Sequence, residues 1–184
     1  SRQLAAALPL IETCTDPAQL LGLEGEAAQR YFDCFNGLVL QQQQDFAFTA
    51  RSRRPPLDNI NALLSFSYPY VGFLHRPRPG RQSLALDVME ELRAVYADRF
   101  VLSCVNQKIL TAKHLQTQEN GAVWLTDAGR QAFFKAWQTK KQEQITHPFL
   151  QEKLPWGLVP YVQALLLART LRGDLDVYPP FFWK

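Results

Sequence analysis

The stretch TDPAQLLGLEGEAAQRYFDCFNGLVL, Thr15 to Leu40, decides the fold class. Asp16 followed by Pro17 marks a helix start. The aspartate can accept from the free N–H groups of the first turn, and proline there gives up a donor that has no partner anyway. Gly22 and Gly25 interrupt the helical pattern beyond it, so a short helix is expected to bend into a longer one over roughly Leu23–Leu38. On that longer helix, at about 100° per residue, Ala27, Ala28, Tyr31, Phe35 and Val39 all fall within about 60° of Glu24. Glu26 lies on the far side. Glu24 therefore sits in the middle of the apolar stripe, where a carboxylate must be paired, coordinated or protonated. The plainer reading is a first-turn acid that complements the helix dipole, and spacing alone leaves both open.

Working outward, the same period dominates the chain. The connection DFAFTARSRRPP (Asp45–Pro56) ends in two prolines that stop any helix. An apolar helix is expected from near Asp58 through NINALLSFSY (Asn59–Tyr68), followed by VGFLHRPRPGRQ (Val71–Gln82) as a loop. Ser83 is a plausible N-cap for LALDVMEELRAVYADRF (Leu84–Phe100), and SCVNQKIL (Ser103–Leu110) reads as a further helix. Asn120-Gly121 places a turn between two short runs, hence a hairpin. Thr126 or Asp127 can cap the amphipathic AGRQAFFKAWQTKKQEQ (Ala128–Gln144). LVPYVQALLLARTLRG (Leu158–Gly173) is apolar nearly all round, as a buried helix is, and the tail DVYPPFFWK (Asp176–Lys184) cannot be helical. The expectation is one mainly α domain over residues 1–184 with one small β-hairpin and no internal repeat.

Composition excludes several classes. Of the 184 residues, 47% are hydrophobic and 20% charged, the balance of a folded rather than a disordered chain. A net charge of +3 is too small for a polycation, so any nucleic-acid contact must come from local patches. Two exist: Arg51, Arg53 and Arg54 in RSRRPP, and Arg76, Arg78 and Arg81 in HRPRPGR. Cys14, Cys34 and Cys104 have no metal-type spacing and read as reduced thiols of a cytoplasmic protein. No apolar run reaches the ~18 residues of a membrane span, and no leader-type segment opens the chain.

The helix after Ser83 shows its apolar stripe at Leu84, Val88, Leu92 and Val95. Asp87 and Glu90 project together from another side, one turn apart. Alone, such a pair is usually a solvated acidic face. Beside it lies His75, in a loop stiffened by Pro77 and Pro79. Imidazole with carboxylates suits Mg2+ or Mn2+, and arginines held by prolines suit phosphate. Metal ligands beside phosphate-binding arginines are what phosphoryl transfer needs. A surface histidine beside an ordinary basic loop fits the spacing as well.

LLGLEGEAAQRYF, RSRRPPLDNINALLSFSY, VGFLHRPRPGRQSLALDVMEELR and ENGAVWLTDAGRQAFFKAW occur in that order and span nearly the whole chain. Together they resemble the CRISPR-associated integrase and endonuclease Cas1, most of all its type I, subtype C branch. The resemblance implies a mostly helical C-terminal catalytic domain, with the family's N-terminal β-rich domain absent from this chain. It implies a site of Glu24, His75 and Glu90 holding Mg2+ or Mn2+, with Asp87 a further candidate ligand. Asn61 and Tyr68, with Ser65 between them on one helix, match positions that support the site or its DNA. Implied too is a transesterification, in which a prespacer 3′-hydroxyl attacks a phosphodiester at a CRISPR repeat, and the reverse reaction on branched DNA. The partners implied are double-stranded and branched DNA, a second copy of the chain, Cas2 and a Cas4-type nuclease, in a prokaryotic cytoplasm. The family pattern also carries residues between the positions of Tyr68 and Pro69 that have no counterpart here. A catalytically inactive DNA-binding subunit of the same complex is the alternative.

Overall fold

A computed structural model describes residues 2–73 and 90–182. It is mainly α, as expected. Helices α1 (Arg2–Thr13), α2 (Pro17–Asp33) and α3 (Asn59–Phe73) come first. Residues 90–93 are helical, a π turn comes next at Ala94–Asp98, and α4 covers Arg99–Asn106. Strands β1 (Leu115–Thr117) and β2 (Val123–Leu125) form an antiparallel hairpin. Then come α5 (Asp127–Gln142), strands β3 (Gln144–Thr146) and β4 (Lys153–Pro155), and α6 (Val159–Leu171).

Asp16 caps α2 as its sequence demands: its side chain accepts from the Ala18 N–H at 3.0 Å, and Pro17 opens the helix. The expected division at Gly22 and Gly25 into a short and a longer helix is not seen: α2 is one continuous helix to Asp33, succeeded by a 3-10 turn, Phe35–Leu38. Each glycine costs a helix about 1 kcal/mol against alanine, which a capped 17-residue helix absorbs. Helix α3 runs beyond Tyr68, through Pro69, to Phe73. SCVNQKIL is not a separate helix: its first residues end the helical run that the described residues show from residue 90 to Asn106.

The Asn120-Gly121 hairpin forms in the register Leu115↔Leu125, Gln116↔Trp124, Thr117↔Val123, with Gly121 at φ 79°. Thr126 then caps α5, accepting from the Gly129 N–H at 3.1 Å. Gly129 is required for packing: a Cβ there would run into the His114 carbonyl oxygen. The second hairpin, Gln144↔Pro155 to Thr146↔Lys153, was not expected. Its strands are three residues long, too short to show a period of two, and no Asn-Gly type turn joins them.

The core gathers Phe35, Phe46, Ile60, Leu63, Leu64, Tyr96, Phe133 and Trp156, all with at most 1% exposure. Tyr96 and Trp156 stack with ring centroids 4.3 Å apart and planes 6° apart, and the Tyr96 hydroxyl donates to the Trp156 carbonyl. Such a pair adds about 0.5–1.5 kcal/mol beyond the area it buries. The C-terminal tail is not helical and packs its Phe181 into this core. All three cysteines are free, and burial pushes the Cys104 thiol up to about 12, which makes it inert. Among the described residues no helix is long and apolar enough to cross a membrane.

Candidate functional site

The basic loop before α3 is shaped by one buried amide. Asn61, fully buried, donates to the Ala50 carbonyl at 2.8 Å and to Asp58 Oδ2 at 2.6 Å. Its Oδ1 accepts from the Ser52 N–H at 2.9 Å and from Arg51 Nη1 at 2.6 Å. Arg51 also reaches Ser65 Oγ at 3.1 Å and lies over the Tyr68 ring, 5.1 Å from its centroid. Its guanidinium is thus turned into the body, where burial lowers its pKa. Arg53 and Arg54 stand exposed. The arginine run expected on DNA divides into one internal anchor and two surface cations.

A second buried polar knot joins the two helices that carry the candidate carboxylates. The Tyr31 hydroxyl, on α2, donates to Asp98 Oδ2 at 2.9 Å. Asp98 ends the π turn and has no exposed surface. The Tyr68 hydroxyl lies against the same carboxyl. That hydroxyl and Asp98 Oδ1 are both buried without a full hydrogen bond among the described residues. Burial raises the Asp98 carboxyl above the usual carboxylate range, opposed by the two tyrosine hydroxyls and then by Arg93 and Arg51. Burial, then the Asp98 charge, raises both tyrosines.

The spacing around this knot is regular. Tyr31 comes seven residues after Glu24, about two α turns. Asp98 comes eight after Glu90, and because a π turn takes about one residue more than an α turn, these too are about two turns apart on one face. Beyond the knot, Asn106 donates to the Leu38 carbonyl at 3.0 Å and accepts from the Leu40 N–H at 2.8 Å. The segments 31–40 and 98–106 therefore advance in the same sense.

Glu24 is on the face of α2 that carries Tyr31, but it is exposed rather than inward. The apolar stripe becomes buried only at Phe35 and Val39 and fades toward the start of the helix. Glu90 is exposed and forms an ion pair with Arg93, whose guanidinium lies 5.8 Å from the Tyr68 ring centroid. His75, Arg76, Arg78, Arg81, Ser83 and Asp87 lie outside the described residues. Among the described residues, no three His, Cys, Asp or Glu side chains are grouped as a metal ion would need. Glu24 and Glu90 nevertheless supply oxygen donors of the kind that Mg2+ and Mn2+ prefer, both accessible to solvent.

Sequence reasoning passed over Tyr31 as a donor, Asp98 and Glu91. An aspartate inside the apolar AVYADRFVL (Ala94–Leu102) is a readable signal for Asp98. Glu91 had none, because it adjoins Glu90 yet faces the other way. Its carboxylate accepts from Gln163 Nε2 at 2.9 Å, from the Tyr178 hydroxyl and from the Phe181 N–H. Gln163 Oε1 in turn meets His147 Nε2 at 3.1 Å. His147 Nδ1 accepts from the Phe149 and Leu150 N–H groups at 3.3 and 3.2 Å, so the ring is neutral with its proton on Nε2.

A family model described as CRISPR associated protein Cas1 matches residues 1–68 and 69–139. CRISPR-associated endonuclease Cas1 2 of Rhodospirillum rubrum is 54% identical over 186 residues, covering 92% of this chain and 54% of that protein. A CRISPR-associated exonuclease Cas4/endonuclease Cas1 fusion of Geobacter sulfurreducens is 38% identical over 183 residues, 88% of this chain and 32% of the fusion. The chain thus spans about half the length of the Rhodospirillum relative. A casposase bound to integration product superposes with a TM-score of 0.79 at 20% identity, over 97% of this chain and 55% of that one. A Cas1 protein from Thermotoga maritima gives 0.75 at 24%, over 99% and 60%. A Cas6-RT-Cas1–Cas2 complex gives 0.74 at 20%, over 98% and 22%. These three show a shared fold.

Proposed function

The chain belongs to the Cas1 family, and from that premise we propose that it is the catalytic part of a metal-dependent DNA integrase and endonuclease of CRISPR spacer acquisition, of the type I, subtype C branch. The observation that carries the reading is the Tyr31–Asp98 hydrogen bond, which ties the Glu24 helix to the Glu90 helix two turns from each carboxylate. The segments 31–40 and 98–106 that follow the knot advance in the same sense, which supports reading both carboxylates as extending from it toward one end.

Glu24, His75 and Glu90, with Asp87, would hold Mg2+ or Mn2+. That ion supplies a Lewis acid that lowers the pKa of an attacking 3′-hydroxyl and stabilises the leaving oxygen. Arg93, paired with Glu90, holds that carboxylate in place. Asn61 fixes the loop from which Arg53 and Arg54 reach phosphate. Arg76, Arg78 and Arg81 would align the DNA strand beside His75, which serves as ligand or proton carrier. The joining step forms one phosphodiester as it breaks another; run backward on branched DNA, it resolves the branch. The Cas4 fusion and the Cas2 complex among the relatives support Cas4 and Cas2 as partners, beside a second Cas1 copy. The work would take place in a prokaryotic cytoplasm. The family-model matches abut at Tyr68–Pro69, which supports reading 1–184 as one domain in which the family's residues between those two positions are missing.

The test is strand joining on branched DNA with Mn2+, comparing wild type, His75→Ala and Glu90→Gln. Joining is expected only in the wild type, and Glu90→Gln is expected to keep the fold while weakening Mn2+ binding. DNA binding without joining in every version would favour the inactive DNA-binding subunit instead.

A further inference from the structure

Glu91 is bound more elaborately than seating the C-terminal tail requires. Its Oε1 accepts from Gln163 Nε2 of α6 at 2.9 Å and from the Phe181 N–H, and its Oε2 accepts from the Tyr178 hydroxyl at 2.5 Å. Gln163 is fully buried and also donates to the Tyr178 hydroxyl at 2.8 Å. Among the described residues no cation pairs with Glu91. Holding a half-buried carboxylate with neutral donors alone costs desolvation that an apolar contact would not. The tail already has an apolar fastening, since the Phe181 ring lies in the core, 6.4 Å from the Trp156 ring and 5.5 Å from that of His147.

What these bonds constrain is the helix. Asp98 pins the helical run to α2, but it stands eight residues after Glu90, about 12 Å along the axis. A tilt of about 5° at that pin would carry Glu90 about 1 Å, whereas metal–ligand distances tolerate about 0.2 Å. Arg93 pairs with the Glu90 side chain, yet it rides on the same helix and cannot set where that helix stands. A second pin is needed close to Glu90. Glu91 is the adjacent residue, and its partners come from α6 and the tail rather than from α2.

We propose that Glu91 is a positioning residue of the metal site: the clamp of α6 and the tail on its carboxylate fixes the turn that carries Glu90. The inference rests on the metal-site reading above and adds to it a residue that acts through Glu90.

Mn2+ binding to this chain, followed through the free-ion electron paramagnetic resonance signal, tests it, with circular dichroism to check the fold. Glu91→Ala is expected to weaken Mn2+ binding about 10- to 100-fold, the usual effect of losing a group that orients a ligand. Glu91→Gln loses the same charge but keeps an acceptor of the same shape, so it is expected to stay within about threefold of wild type. In a Glu90→Gln background, Glu91→Ala should cause no further loss, because its effect runs through Glu90. Tyr178→Phe removes only its own bond to Glu91 and should weaken Mn2+ binding in the Glu90 chain but not in the Glu90→Gln chain. If Glu91→Ala does not fold, unchanged affinity in Tyr178→Phe overturns the proposal. So does equal affinity in wild type and Glu91→Ala, an equal loss in Glu91→Gln, or an undiminished loss in the Glu90→Gln background; in each case the metal site itself stands. Unchanged affinity in Glu90→Gln alone would instead remove the metal-site reading, and this inference with it.

Discussion

Asp98 shows how much one side chain can decide. It is fully buried, takes a hydrogen bond from Tyr31 and faces the Tyr68 hydroxyl, while burial raises its pKa. A carboxyl in that setting is costly as an anion and useful as an acceptor. The two roles separate by mutation. Asp98→Asn keeps an oxygen for Tyr31 and removes the charge, so urea denaturation is expected to place it within about 1 kcal/mol of wild type. Asp98→Ala strands the Tyr31 hydroxyl and opens a void, at an expected cost of about 1–3 kcal/mol for the hydroxyl alone. An alanine variant as stable as the asparagine variant would show that the Tyr31 bond contributes nothing. Glu24, two turns before Tyr31, carries a related lesson. A helical wheel places it correctly beside Tyr31, but a wheel knows nothing of how far along the helix the core reaches, and the core stops short of it.

Elements were legible where a start or a turn has its own chemistry. Asp16-Pro17, Thr126 and Asn120-Gly121 each mark a boundary that the structure keeps. They were illegible where a long-range contact overrides local preference. The π turn at Ala94–Asp98 has no local sequence signature; it places Asp98 against Tyr31 and Glu90 on a common face. Glycine divides the same way. Gly22 lies inside α2 with nothing within 4 Å of where a Cβ would sit, so Gly22→Ala is expected to stabilise the fold by about 0.5–1 kcal/mol. Gly129 is also in a helix, yet alanine there meets the His114 carbonyl. Gly129→Ala should lower the denaturation midpoint even though alanine favours helices. A stabilised Gly129→Ala would mean that α5 can shift away from the 112–114 turn at no cost. Sequence alone assigns both glycines the same penalty; the close approach separates them.

At the scale of the molecule, the C-terminal third is fastened to the acidic helix through Glu91, which collects Gln163 of α6, Tyr178 and the Phe181 N–H of the tail. Gln163 passes the link on to His147, the first residue of the loop that joins β3 to β4. Glu91 adjoins Glu90, so the clamp that seats the tail also steadies the helix bearing a candidate ligand. The weak point of this clamp is titratable. Burial lowers the pKa of His147 against the raising influence of Gln163 and Glu91, and its neutral ring already accepts two backbone N–H groups at Nδ1. A proton there would remove both bonds. The sign comes from linkage: as pH falls through about 6.5 the unfolded chain takes up a proton that the folded chain refuses. Stability is therefore full above that pH and declines below it until the folded histidine also titrates, by about 1.4 kcal/mol per unit of depression. His114, lowered by burial and by Lys113, contributes in the same direction, so wild type must be compared with a single variant. His147→Gln has no proton to bind, and its loss of urea midpoint between about pH 7.5 and 5.5, a window that brackets the unfolded histidine pKa, is expected to be smaller than that of the wild type. Equal losses would assign the acid sensitivity to His114 and other groups, and leave the His147–Gln163–Glu91 clamp indifferent to pH.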